Sequence, residues 1–168
     1  YLLDLRTGRQ LASASRLNPQ ISFGADVISR VDYTARAENG AERMRGAIID
    51  GLSDLIGRLC AQSGVAAEEI FHVVLAGNTI MMHLFAMLPA DHIAVLPFVP
   101  VYSRQLTISA REACLPVHPR ARVAMLPCVA GYVGADTVAA VLASGMHTSD
   151  ELSLLLDIGT NGEIVLGD

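Results

Sequence analysis

The sequence predicts an α/β protein. Two patterns carry that expectation. Apolar β-type runs alternate with helical stripes along most of the 168 residues. The core must also be aliphatic: hydrophobic residues make up 52%, with no Trp and only four Phe and four Tyr. Small aliphatic side chains suit helices lying close on a sheet.

In order, Tyr1–Leu5 reads as a strand, and Thr7-Gly8 as the turn into a second strand, Gln10–Ala14. Asn18-Pro19 breaks the run. Helical spacing covers Ala25–Ala35 and Glu42–Gln62. In the second helix Met44, Ile48, Ile49, Leu52, Leu55, Ile56 and Leu59 form one stripe, and Gly64 closes it. Ile70–Ala76 is a buried strand by composition. Gly77-Asn78-Thr79 turns it into a helix over Ile80–Leu88. Pro89–Pro119 is irregular, with short strands expected near Val99–Tyr102 and Leu106–Ile108. Val123–Leu126 is a strand, and Gly131–Gly134 leads into the helix Ala135–Ser144, ended by Gly145. Leu152–Leu156 is a strand, Asp157–Gly162 a tight turn, and Glu163–Leu166 a strand again. The alternation argues for parallel pairing, although hairpins at both ends do not fit a purely doubly wound sheet.

Composition excludes several functions. All 12 basic residues are Arg, so there is no P-loop lysine, Schiff-base lysine or lysine general base. A net charge of −5 without a basic block disfavours nucleic acid as partner. Cys60, Cys114 and Cys128 are scattered, with no zinc or iron–sulfur spacing, and read as reduced, mostly buried thiols of a cytoplasmic protein. His72 and His83 lie in apolar runs and read as core histidines. Val123–Met146 is the most membrane-like stretch, but Pro127, Gly131, Gly134 and Asp136 punctuate it, so no span is expected. Neither end looks like a natural terminus, and the expectation is a segment of a longer protein.

The most informative segment is Leu154-Leu-Leu-Asp157-Ile-Gly159-Thr160-Asn161-Gly162-Glu163. A strand delivers a carboxylate to its end, and a turn with two glycines reverses the chain. Glycine lets backbone N–H groups approach an anion without a Cβ in the way. Asp157 suits a hydrated Mg²⁺ beside a phosphate. Two other readings fit less well. As a calcium loop, Asp157–Asp168 has Gly159 at the third position and Asp168 at the twelfth, with strands flanking it. As a dinucleotide unit, Gly131-x-x-Gly134 lacks the first glycine, because Val129 stands there.

The Ala-rich helix ending in Gly145, followed by strand–Asp-x-Gly-Thr-x-Gly–strand, resembles the actin, chaperone and sugar-kinase (ASKHA) ATPase superfamily. Longer blocks narrow this: Asn18–Arg30, Gly77-Asn-Thr79 with Met82-His-Leu84, Pro97-Phe-Val-Pro100, Leu126–Thr137 and Leu155–Ile164. Over essentially the whole segment they resemble the ATPase domain of the reductive activators of corrinoid proteins. Ile80 departs from the Thr expected there.

The resemblance implies an RNase H-like (actin-like ATPase) α/β fold built on a mixed sheet, with residues 1–148 most of the first subdomain, its first strand missing, and 149–168 the opening hairpin of the second. It implies ATP and Mg²⁺ as cofactors. It also implies a corrinoid protein as partner, and a 2Fe–2S cluster in a ferredoxin-like domain outside this segment. ATP would drive an electron onto cobalt, returning Co(II) to Co(I). The first phosphate hairpin is expected upstream of Tyr1 and the adenosine loops downstream of Asp168, so this segment alone should bind ATP poorly. Asp157 would hold Mg²⁺ through water, and Gly159, Thr160, Asn161 and Gly162 would contact phosphate. Asn78 or Asp136 would orient the attacking water, Asp136 having helix capping as its alternative. Gly24-Ala-Asp26 and Arg30 would face the partner or fix the first helix. The surface along Pro89–Pro100 would dock the corrinoid protein or simply pack. A homodimer is compatible with this picture. The alternatives on the same fold are a small-molecule kinase and a non-catalytic actin-like nucleotide-binding module.

Overall fold

The computed structural model describes residues 1–159 and 162–167. Strands β1 (Leu2–Leu3) and β2 (Gln10–Ala12) form the opening antiparallel hairpin. Its turn places Gly8 at φ +71°, a conformation that side chains rarely adopt. Asn18 caps a short 3₁₀ turn, Pro19–Phe23, by accepting from the Gln20 N–H.

Helix α1 (Val27–Arg36) starts at Asp26, whose carboxylate accepts from both the N–H and the hydroxyl of Ser29 at 2.8 Å. These bonds hold the Asp26 carboxyl below its ordinary pKa, the Ser29 backbone N–H contributing most. Arg30 is buried and donates from Nε to the Gly24 carbonyl. Asp26 and Arg30 therefore fix the first helix.

Helix α2 (Gly40–Ser63) is the long brace of the molecule. Its expected stripe is the buried one: Met44 and Leu59 are enclosed, and Ile48, Ile49, Leu52 and Ile56 pack on the sheet. Gly64 ends it at φ +73°. The sheet is small and mixed. β3 (His72–Leu75) pairs in parallel with the central β5 (Arg122–Met125), and β4 (Leu106–Ser109) pairs antiparallel on the other side. Val123 and Met125 of β5 are fully enclosed and anchor the core. Short helices α3 (Thr79–Phe85), α4 (Asp91–Ala94) and α5 (Ala110–Ala113) fill the connections. Ser109 and Glu112 close the start of α5 with a reciprocal capping box. Helix α6 (Ala135–Ser144) ends at Gly145 as its sequence predicts, and leads to a last hairpin, β6 (Ser153–Ile158) and β7 (Gly162–Gly167).

Five expectations are corrected. The strand after Ile70 is not buried: α2 covers one face of the sheet, and alternation turns His72 and Val74 to the other. His72 is accordingly exposed, not a core histidine. No strand forms at Val99–Tyr102, because the Val101 N–H is taken by His83 and Phe98 sits at φ +61°. Of the three thiols only Cys128 is buried; Cys60 is half-buried and Cys114 exposed. Asp157 lies within β6 rather than in the turn, because the ladder runs on to Ile158↔Gly162. That hairpin is a sheet of its own, so β5–α6–β6 is not a parallel crossover unit, which removes the structural basis of the dinucleotide reading.

Candidate functional site

The parallel strands β3 and β5 run the same way, and each ends in a turn that starts a helix. Open α/β sheets bind ligands beyond such strand ends. After β3, Asn78 caps α3, its Oδ1 accepting the Met81 N–H at 2.9 Å. After β5, the loop tightens as the Val129 and Ala130 N–H groups both donate to the Val133 carbonyl. The two turns then lock together. Thr79 Oγ1 donates to the Ala130 carbonyl at 2.7 Å. The Ala135 and Asp136 N–H groups both donate to the Gly77 carbonyl, at 3.0 and 3.2 Å. Gly134 makes this approach possible. Its φ of −92° suits any residue, but a Cβ there would lie 2.6 Å from the Asn78 Cα and 2.8 Å from the Thr79 nitrogen.

His83 supports the floor of this region. Its Nε2 accepts the Val101 N–H at 3.0 Å, so Nδ1 carries the proton and donates to the Thr79 carbonyl at 2.7 Å. The ring is fully enclosed and stacks on Tyr102, centroids 4.8 Å apart. Burial pushes its pKa below the ordinary value, and the Thr79 bond opposes that only partly. Burial likewise pushes the Tyr102 phenol up, helped by the neighbouring Cys128 thiol.

The last hairpin faces the first turn of α6 across a groove of about 400 Å³, lined by Tyr132, Val133, Thr137, Gly162, Glu163 and Val165 among others. The register puts Asp157 directly opposite Glu163. Both therefore share the half-buried hairpin face that carries Leu155 and Val165, toward α6. The other face is aliphatic and open to solvent: Leu154, Leu156, Ile158, Ile164 and Leu166.

The predicted site residues are thus distributed unevenly. Asp157, Gly159 and Gly162 lie at the closed end of the hairpin, which borders the groove. Thr160 and Asn161 fall outside the described residues. Asn78 stands at the adjoining helix start, its side-chain oxygen already engaged in capping. Asp136 is exposed, and its Oδ1 accepts the Thr137 N–H at 2.9 Å. With Val138 N–H donating to the Gly134 carbonyl, every N–H of the first turn of α6 already has a partner. From sequence alone, Gly134, Thr137, Tyr132 and Glu163 receive no site role. Only Glu163 had a usable signal, since counting back across a short turn pairs it with Asp157.

On the surface, Val95, Leu96, Val99, Val129 and Tyr132 are exposed, and Phe98 meets Tyr132 edge-on at 5.0 Å. Among the described residues no three His, Cys, Asp or Glu side chains are grouped to hold a metal. No helix among them is long and apolar enough to cross a membrane.

Comparison with known proteins converges. Residues 1–149 match the family described as RACo middle region. The chain is 35% identical over all 168 residues to a corrinoid activation enzyme, RamQ, of Eubacterium limosum, and spans 28% of that protein. It superposes with a TM-score of 0.94 on a solved reductive activator for corrinoid, iron-sulfur protein. There the identity is 41%, over 99% of this chain and 26% of the other. The chain thus spans about a quarter of the length of the relatives it matches.

Proposed function

The chain belongs to the RACo middle region family, and from that premise we propose that it is the nucleotide-facing part of an ATP-dependent activator that returns a Co(II) corrinoid protein to Co(I). The observation that carries this reading is the likeness to a reductive activator along 99% of the chain at 41% identity. Residues 1–148 form the first RNase H-like subdomain, and 149–168 open the second. A hairpin that is a sheet of its own, with one aliphatic face uncovered, supports that division.

The residues present fit a magnesium nucleotide. Mg²⁺ keeps several waters and needs only one or two carboxylates. Asp157 is exposed beside a glycine bend and enters no ion pair among the described residues. Asp157 would hold Mg²⁺ through water, and the ion would supply charge neutralisation at the phosphates. The backbone amides of Gly159, Thr160, Asn161 and Gly162 would bind the phosphate oxygens, glycine at 159 and 162 leaving no Cβ there to hinder the approach. Asn78 and Asp136 keep the two helix starts in register beneath the groove. The electron enters from an iron–sulfur domain outside these residues. The exposed Val95–Val99 loop, tied to the groove by the Phe98–Tyr132 contact, docks the corrinoid protein.

Asp157→Asn in the full-length protein tests the reading. ATP-driven reduction of corrinoid Co(II), followed by absorbance, should fall on the order of 10²–10³-fold. The Mg²⁺ concentration needed for half-maximal rate should rise. Wild-type rates at wild-type Mg²⁺ would overturn the assignment.

A further inference from the structure

The geometry points to Glu163 as the proton acceptor for the water that attacks the terminal phosphate, an inference that rests on the ATP reading above. The groove has few candidates for this task. The Asn78 side-chain oxygen is bonded to the Met81 N–H, and Asp136, whose Oδ1 accepts the Thr137 N–H, is exposed and does not line the groove. Asp157 is assigned to the metal's water shell. Glu163 is the one carboxylate residue among the described groove-lining residues, on the wall opposite Thr137. It is half-buried, and among the described residues it makes no ion pair and no side-chain hydrogen bond. Its side chain is one methylene longer than that of Asp157, so two carboxylates on one face reach different depths.

The pairing itself is informative. Like charges directly opposite on a hairpin destabilise it, yet Asp157 and Glu163 face each other with no Arg paired to either among the described residues. A division of labour accounts for this: Asp157 would hold the metal through water, and Glu163 takes the proton of the nucleophile. In the step, the water oxygen bonds to the γ-phosphorus while the bond from that phosphorus to the β,γ-bridging oxygen breaks. The water proton passes to the Glu163 carboxylate, ADP leaves with the bridging oxygen, and Glu163 returns the proton to solvent.

The test uses the full-length protein, measuring phosphate release from ATP with Mg²⁺. Glu163→Gln should lower kcat about 10²–10³-fold, keep KM for ATP within about threefold, and leave the melting temperature unchanged or higher, since a like-charge neighbour is gone. Glu163→Ala should regain at least about tenfold in kcat on adding formate, which a purely structural role would not permit. A Glu163→Gln kcat within threefold of wild type overturns the inference and leaves the ATP reading intact. So does a KM that rises in step with the loss, or Glu163→Ala without formate rescue. A wild-type protein that neither binds nor hydrolyses ATP overturns both.

Discussion

Replacing Gly134 by Ala adds one methyl where two helix starts meet. The new Cβ would stand 2.6 Å from the Asn78 Cα, and ordinary contact begins at 3.4 Å. The obstacle is backbone, so α6 must retreat by about 0.8 Å. The bonds from the Ala135 and Asp136 N–H groups to the Gly77 carbonyl, now 3.0 and 3.2 Å, then stretch beyond useful length. Overpacking costs about 1–3 kcal/mol, and each weakened bond about 1 kcal/mol. The expected loss is about 3–5 kcal/mol, or roughly 6–20 °C in the melting temperature of a unit this size. Catalysis should suffer more than stability implies, because a displacement near 1 Å costs on the order of 10²-fold. The assay is thermal melting and ATP turnover of the full-length protein. Gly57→Ala is the control. It lies on exposed helix with nothing within 4 Å of the added Cβ, and should gain about 0.5–1 kcal/mol. A Gly134→Ala protein that melts and turns over like wild type would refute the reasoning.

Two further expectations concern His83. His83→Leu removes the acceptor of the Val101 N–H and the side-chain donor to the Thr79 carbonyl, at about 1 kcal/mol each; amide exchange across residues 95–105 should accelerate, and unchanged exchange would count against the tie. Because burial lowers the folded pKa of His83 below the reference value of 6.5, the unfolded chain takes up its proton first as pH falls. Its contribution is therefore complete above pH 6.5 and is lost as pH drops through the folded value; melting temperatures of wild type and His83→Leu should converge at acidic pH, and a constant gap would contradict this.

The helices were legible because their signals are local. The α2 stripe, Gly64 and Gly145 each carry their own stereochemistry, and all three sit where expected. The Ser109-x-x-Glu112 box was equally local, but it lay inside a proline-rich stretch read as irregular. What escaped depends on partners distant in sequence. Nothing in His72-Val-Val-Leu75 tells that one helix covers one face only. Nothing near Val101 tells that His83 takes its N–H. At the site, the residue types around Asp157 were visible. The contact that draws Gly134 onto Asn78, and the groove that Glu163 lines, exist only once the turns after β3 and β5 are brought together.

The solvent-facing side of the last hairpin has a practical consequence. Leu154, Leu156, Ile158, Ile164 and Leu166 make a flat greasy ribbon, and neither rim of it is paired to another strand among the described residues. Such ribbons recruit strands from their own kind and bury themselves against whatever oil-like surface is at hand. Expressed as these 168 residues alone, the molecule is set up to clump, and a clump would imitate a specific assembly. Stoichiometry is therefore best measured on the longer polypeptide.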